Sequence, residues 1–479
     1  MGENAMQEEI IRSFGKRLKA RIEEIMAEFS QRMDFSGLEK AINEEIVEFS
    51  AQLQQALLCF VLSDKMFLSA LKTYAGKLGM HLKEFRAVTV TLSNGQRVQV
   101  MSPYFVKAKA HSKRKRRKRG PNGTGAHLGL QVLGFIGHAS PGLLSYAVQM
   151  ALLCPSYEVA CTVLAERGVT LNIKSLRRLC WLAGHLDNDL RGRIALTGHE
   201  NLRGYTLVIS IDGGRIRERK RKRGRRAKHL KRQGYHADWR EPKLFTIYLT
   251  NVKGEIVKEF TPLHDATMGD HEAAFALLET YLRNLELEQL DRVVFCGDGG
   301  SWIWNDVKKL CNHIGFPENT VYQVLDYTHA KQNLNQIVDM LAPTKQAAVA
   351  KKWKNFLWNG ALDALEESIK ETITGRTKRK KALKKFADYF LNNRERMRYS
   401  YFKTQGLPCG SGHVESAVRR IINLRLKAAG TFWLKKMAEC FLFLRSQLIS
   451  GRWKIFIANL TGLVRRAFLP LYGAKQIPA

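Results

Sequence analysis

A chain of 479 residues with 45% hydrophobic and 9% aromatic side chains can bury sizeable cores, which excludes a disordered tail. Its 78 Lys and Arg against 44 Asp and Glu leave a formal charge of +34, and a fold this basic repels itself unless a polyanion belongs to its working life. Nucleic acid is the first candidate, because Lys and Arg displace the counterions condensed on phosphates.

The eight cysteines (Cys59, Cys154, Cys161, Cys180, Cys296, Cys311, Cys409 and Cys440) are scattered with no CxxC pair, which argues against a zinc ribbon or a disulfide framework and fits a reducing compartment. MGENAMQEEIIRSFG is polar and acidic, unlike a signal peptide. The apolar run LLSYAVQMALLC (143–154) is shorter than the roughly 18 residues a bilayer span needs, so a soluble intracellular protein without a membrane partner is expected.

Residues 6–75 carry helical spacing, as in IEEIMAEF and LEKAINEEIVEFSAQL. VTVTLSNGQRVQV (88–100) alternates around Asn94-Gly95, a strong hairpin signal. KRKRRKR (113–119), with Lys113, Arg114, Arg116 and Arg117, suits either a solvated linker or direct phosphate contact. SYEVACTVLAERGVTLNIKSLRRLCWL reads as a helix, a turn at Gly168 and a second helix opening near Ser175. That rhythm suits a helix-turn-helix with Arg177 and Arg178 placed for DNA, or an αα-hairpin used only for packing. The resulting segments are a helical domain at 1–80, a hairpin with basic linker at 81–141 and a helix-turn-helix-like domain at 142–200.

From residue 205 the period changes. TLVISID (206–212), LFTIYLTN (244–251), IVKEFTPL (256–263), RVVFCGD (292–298) and VYQVLD (321–326) are strand-like, with helical patterns before the fourth and before the fifth. The order βββαβαβ is an α/β arrangement: three antiparallel strands, then two right-handed crossovers into parallel ones. It occupies 201–328. Residues 329–405 read as helical and basic, and 406–479 as a long helix with a tail.

Asp212 ends the first of these strands and Asp298 the fourth. In such a sheet the two strands are neighbours, so both carboxylates should meet at one end. Glu415, in GSGHVESAVRRIINLRLK, lies in the first turn of a helix that could pack back against that end. Alone, each acid also suits a turn or a helix start. Together, three clustered carboxylates repel one another unless a hard cation neutralises them. Mg²⁺, with Mn²⁺ as a substitute, takes oxygen ligands, and two such ions suit in-line displacement at phosphorus.

VISIDGG, CGDGGSWIWN, VLDYTHAKQNL and GSGHVESAVRRIINLRLKAAGTFW resemble the signature blocks of insertion-sequence transposases of the ISKra/ISLre type, more distant relatives of Mutator-like transposases. The resemblance covers roughly residues 140–450. It implies an RNase H-like catalytic core followed by a catalytic helix and interrupted by an all-α insertion. It also implies a DDE mechanism of strand cleavage and strand transfer on transposon terminal inverted repeats, with Asp212, Asp298 and Glu415 as catalytic and metal-binding triad. Asp326 and His329 match a D/C-x-x-H motif that supports the site or touches DNA near it; a helix-start histidine bonded to Asp326 is the equal alternative. Trp302, Trp304 and Trp433 are positions for base stacking, although packing suits one of the first two better. Arg425 and Lys427 are positions for phosphate contact. The implied partners are double-stranded DNA and a second copy of the chain, in a bacterial, nucleoid-associated setting in the cytoplasm.

Nine of the twelve residues from Arg215 to Arg226 are Lys or Arg, and the basic insertion from Arg215 to Lys243, with Arg219, Lys220, Arg221 and Arg223, is long for a connection between the first two strands. It reads either as an arm that tracks the DNA backbone or as a decoration of this subgroup. Two other functions stay open on sequence alone: a catalytically inactive DNA-binding descendant of a transposase, and a stand-alone Mg²⁺-dependent nuclease.

Overall fold

The computed structural model describes all residues except 1, 108–124, 186–190, 192–201, 227–232, 286, 288–289 and 473–479. Lys113, Arg114, Arg116 and Arg117 therefore lie outside the described residues. The chain divides into two compact units, 1–183 with 457–479, and 184–456.

In the first unit, helices α1 (Gly2–Arg32), α2 (Phe35–Ser63) and α3 (Lys65–Lys77) precede an antiparallel pair, β1 (Met80–Thr91) and β2 (Arg97–Lys107). The turn between the strands places Gly95 at φ 84°, the left-handed region that glycine enters without steric cost. Val88, Val90, Val98 and Val100 alternate with exposed neighbours and pack with Leu62, Phe67 and Leu71 in one core. By length and composition α2 is apolar enough to cross a membrane, a stretch that the sequence reading, centred on 143–154, passed over. It contributes Ala51 and Leu62 to the core around the strands, and Gln55 donates to the Gln99 carbonyl at 2.7 Å.

A two-residue strand β3 (Gly125–Ala126) extends the sheet, and α4 (Leu128–Val132), α5 (Pro141–Leu153), α6 (Tyr157–Glu166) and α7 (Ile173–Gly184) follow. Ser140 and Ser156 cap α5 and α6 by accepting from Leu143 and Val159. The α6–α7 turn holds Gly168 at φ 78°. The second helix opens at Ile173, two residues before the expected Ser175, because Asn172 Oδ1 accepts from the Ser175 backbone N–H at 2.9 Å and so acts as the cap. Arg177 and Arg178 are exposed on its early turns.

The second unit is built on a mixed five-stranded sheet of β4 (Thr206–Gly213), β7 (Lys243–Thr250), β8 (Leu263–Thr267), β9 (Arg292–Gly297) and β10 (Val321–Leu325), in the order β10-β9-β4-β7-β8. β4 runs antiparallel to β7 and parallel to β9. It lies inside the sheet with both faces covered, which is why LVISI is buried throughout, and apolar but for Ser210, rather than alternating. Helices α8 (His271–Leu282) and α9 (Ser301–Ile314) make the crossovers into β9 and β10.

Two parts of the sheet differ from the sequence reading. The third strand is Leu263–Thr267, not 256–263: the bridge between Thr250 and Ile256 curls that segment back as a turn, and Pro262 offers no N–H for a ladder. The basic insertion also has structure of its own, a two-stranded hairpin of β5 (Ile216–Arg221) and β6 (Tyr235–Arg240).

After β10 come α10 (Tyr327–Val338), α11 (Pro343–Trp358), α12 (Leu362–Thr372), α13 (Arg376–Tyr389) and α14 (Tyr399–Thr404). Trp353, Leu365, Ile369 and Phe386 are fully buried in this helical segment. The chain returns to the sheet as α15 (Gly412–Ala417), continues through a π turn (Val418–Asn423) into α16 (Leu424–Leu426), and then forms α17 (Lys435–Ile449). The buried Arg445 guanidinium donates to the carbonyls of Ile421, at 2.7 Å, and Arg420, which satisfies backbone groups in the π turn.

Candidate metal centre

Three parallel strands deliver three aspartates to one level. Ile211 of β4 and Leu325 of β10 both lie opposite Gly297 of β9, and the next residues are Asp212, Asp326 and Asp298. α15 packs on β4 and β7 and brings Glu415 to the same end. His329, in the first turn of α10, has Nδ1 3.8 Å from Asp326 Oδ2, within ion-pair reach but beyond a hydrogen bond. One ligand atom each from Asp326, His329 and Glu415 lies within 4.8 Å of the others, so this acidic and histidine cluster could hold a metal ion.

The roles within the cluster separate by hydrogen bonding. Asp326 is fully buried and both its oxygens are engaged: Oδ1 accepts from the backbone of Thr328 and of His329 (3.1 Å), while Oδ2 accepts from the Ser411 backbone (2.7 Å) and the Ser411 hydroxyl. Asp326 thus caps α10 and ties it to Ser411, the residue from which α15 starts. Burial pushes its carboxyl up, but these donors and His329 outweigh that and hold it below its ordinary value. His329 is correspondingly raised, with Asp326 as the main cause and the charges of Asp212 and Asp298 adding to it.

Asp212 and Asp298 are engaged differently. Asp212 Oδ1 accepts from its neighbour Gly213 at 2.6 Å, and Asp298 Oδ1 from Gly300 at 2.8 Å. The second oxygen of each, and the exposed Glu415 carboxylate, has no hydrogen-bond donor among the described residues. Nor does any Lys or Arg among those residues pair with Asp212, Asp298 or Glu415, in a chain that carries 78 such cations. Burial pushes Asp212 up to about 6; the Gly213 bond and His329 oppose this, and the charges of Asp298 and Glu415 reinforce it. Free carboxylate oxygens and an unneutralised charge suit a hard divalent cation.

A carboxyl whose folded pKa lies above its unfolded one favours folding below the unfolded value of 3.8, and that contribution is lost as pH rises through about 6. The ionised Asp212 therefore weakens the metal-free protein at neutral pH. Asp212→Asn is expected to raise its thermal midpoint near pH 7.5, by roughly 2–3 kcal/mol of stability, and to have little effect near pH 4. Added divalent cation should then stabilise the wild type and not the variant; a variant melting below wild type at pH 7.5 would contradict the charge clustering.

The remaining sequence-predicted positions divide into exposed and buried sets. Arg219, Lys220, Arg221 and Arg223 lie on or next to the β5–β6 hairpin, where Lys220 pairs with Asp238 at 3.1 Å. Lys427 is exposed just past α16. Arg425, expected to touch phosphate, is instead 3% exposed, packed between the rings of Trp433 (5.2 Å) and Phe441 (5.3 Å). Trp433, expected to stack on a base, is likewise buried, and its indole N–H donates to the Leu426 carbonyl at 3.0 Å. Burial of the Arg425–Trp433 pair removes both from DNA contact. Trp304 is buried under Arg396, whereas Trp302 lies half-buried beside Asp298 and Gly300 with Lys243 Nζ 4.2 Å from its ring centroid. Ser411 was missed by sequence reasoning; its only signal was the Gly-Ser-Gly preceding the Glu415 helix.

No protein-family model matches the chain, and no curated protein matches it.

Proposed function

We propose that the chain is a DNA transposase: it binds the terminal inverted repeats of a mobile element and catalyses Mg²⁺-dependent strand cleavage and strand transfer on an RNase H-like core. The observation that carries this reading is the set of three carboxylates, Asp212, Asp298 and Glu415, which have no ion-pair partner among the described residues, at one sheet end of a chain with charge +34. The strand order supports it, with a central β4 flanked by an antiparallel β7 and a parallel β9, as an RNase H-like core requires.

Asp212, Asp298 and Glu415 would hold the metal through their free oxygens. Mg²⁺, replaceable by Mn²⁺, supplies Lewis-acid stabilisation of the charge that builds on the phosphodiester. The protein's own groups do the rest. Asp326 and Ser411 hold α10 and α15 together, so that Glu415 stays beside the strand-end aspartates. His329, drawn toward its charged form by Asp326, stands at the edge of the acidic site. The exposed Arg177 and Arg178 suit groove contacts, and the exposed Arg219, Arg221 and Arg223 suit phosphates. Because two transposon ends must be held together, the working form is a dimer or larger assembly on DNA, with the nucleoid as its place of action. A DNA-binding descendant without catalysis would have no use for three clustered carboxylates that no Lys or Arg pairs with among the described residues.

The reading is tested with the full chain, Mg²⁺ and a DNA fragment carrying the inverted repeats that flank its gene. Strand breaks at the repeat ends are expected, and a chelator should suppress them. Breaks that persist under chelation, or an intact fragment under all metal conditions, would reject it.

A further inference from the structure

The β5–β6 hairpin sorts its charges by face. Ile216, Glu218 and Lys220 lie opposite Arg240, Asp238 and His236 in the ladder. On that face Glu218 pairs with Arg240 at 2.8 Å and Lys220 with Asp238 at 3.1 Å, so the charges neutralise internally. The other face presents Arg217, Arg219 and Arg221 opposite Trp239, Ala237 and Tyr235. Among the described residues none of these three arginines has an acidic partner.

Two of them are stacked instead. The Arg219 guanidinium lies 4.2 Å from the Tyr235 ring centroid, and Arg217 lies 4.6 Å from Phe432 and 5.7 Å from Trp239. Tyr235 and Phe432 meet edge to face at 5.5 Å. The aromatic surface nonetheless remains open to solvent: Trp239 is 59% exposed and Tyr235 39%.

The hairpin's open end joins the metal centre. β5 starts four residues after Asp212, and β7, which follows β6, pairs its Lys243 with Gly213. The outer edge of β5 is fixed by the segment that follows the Glu415 helix: Arg219 N–H donates to the Trp433 carbonyl at 2.7 Å, and Trp433 N–H to the Arg217 carbonyl at 2.9 Å. The face is thus held in place beside the site rather than free to swing.

Duplex phosphates would be served by arginines alone, and a duplex surface offers nothing flat and apolar to cover an exposed tryptophan. Bases expose their flat faces only where the strand is unpaired, and aromatic rings and guanidinium planes are the surfaces on which such bases stack. Tyr235 and Trp239, four residues apart on one strand face, provide two stacking positions about 13 Å from each other. We propose that this face binds unpaired nucleotides of the DNA strand adjoining the scissile phosphate. Bases stack on Trp239 and Tyr235, while Arg219 and Arg221 hold the backbone. The proposal rests on DNA being the substrate of the neighbouring site.

The test uses the full chain without metal and two labelled probes, a single-stranded oligo-dT and a blunt duplex of equal length. The double variant Tyr235→Ala with Trp239→Ala is expected to lose at least about tenfold in oligo-dT affinity, with duplex affinity changed by no more than about twofold. Trp239→Phe, which keeps a ring, should retain most of the single-strand affinity. Unchanged oligo-dT binding by the double variant would overturn the proposal, as would equal losses on both probes. Because no cleavage is read, a chain that passes this test but never cuts DNA refutes the strand-transfer reading alone.

Discussion

Asp298→Ala is expected to bind terminal-repeat DNA within about twofold of the wild type and to cleave it on the order of 10³-fold more slowly, or not at all. Binding should survive because the Asp298 side chain does little for the fold. It follows β9, its one internal bond runs to Gly300 two residues on, and it has no ion-pair partner among the described residues. Cleavage should fail because the free oxygen of Asp298 is one of the few at the sheet end that no donor among the described residues occupies. Asp298→Asn separates charge from shape: it can keep the Gly300 bond while removing the negative charge, and should be as inactive as the alanine variant. Gel-shift titration and end-labelled cleavage on the same DNA give both quantities. Cleavage by Asp298→Ala at the wild-type rate would remove Asp298 from the site.

Asp326→Ala should act in the opposite way, through stability first. The buried carboxylate accepts from Thr328, His329 and both donors of Ser411, so its removal strands several buried N–H and O–H groups and uncaps α10. An uncapped helix costs about 1 kcal/mol and each stranded donor about 1–3 kcal/mol, so a total near 3–5 kcal/mol is expected in thermal or urea unfolding. Asp326→Asn is the sharper variant. Its carbonyl can still cap α10, but its NH₂ would face the Ser411 donors, so the link to α15 is lost while the helix cap remains. Because the folded carboxyl sits below its ordinary value, its contribution is in full force above that range and fades as pH falls below it. The difference between wild type and Asp326→Asn should shrink accordingly toward strongly acid pH. A wild-type-like melt for Asp326→Ala at neutral pH would show that the four bonds do not carry the joint.

The strand-end aspartates were legible because their signal is topological. An apolar run closed by Asp-Gly, repeated at two places that the βββαβαβ order makes neighbours, needs only strand pairing to bring Asp212 and Asp298 together. The third strand was not legible, because LHDAT contains a histidine and an aspartate that pattern reading assigns to a loop. Both are buried there: Asp265 because Arg191 (2.9 Å) and the Tyr281 hydroxyl (2.8 Å) satisfy it, and His264 against Thr246 at 3.0 Å. Arg425 failed in the reverse direction. Its charge suggested a solvent-facing contact, whereas its position one turn beyond Ile421 and Ile422 puts it on the buried side of the helix. The fate of the basic insertion could not be read from its charge run, since Glu218, Asp238 and Arg240 had first to be aligned across a hairpin to show that one face cancels.

Between Val414 and Leu426 the buried positions are 414, 417, 418, 421, 422, 425 and 426, a stripe that repeats every four residues. An α-helix advances about 100° per residue, so over this length such a stripe would slide roughly 120° around the axis. The π turn at Val418–Asn423 winds more slowly and takes up the difference. It works as a vernier between the sequence period and the helix period, keeping Val414 and Leu426 buried while Glu415, one step off the stripe, stays within electrostatic reach of Asp212. The extra wind of backbone, clamped by Arg445, thereby sets the angular position of an acid three residues before the π turn begins.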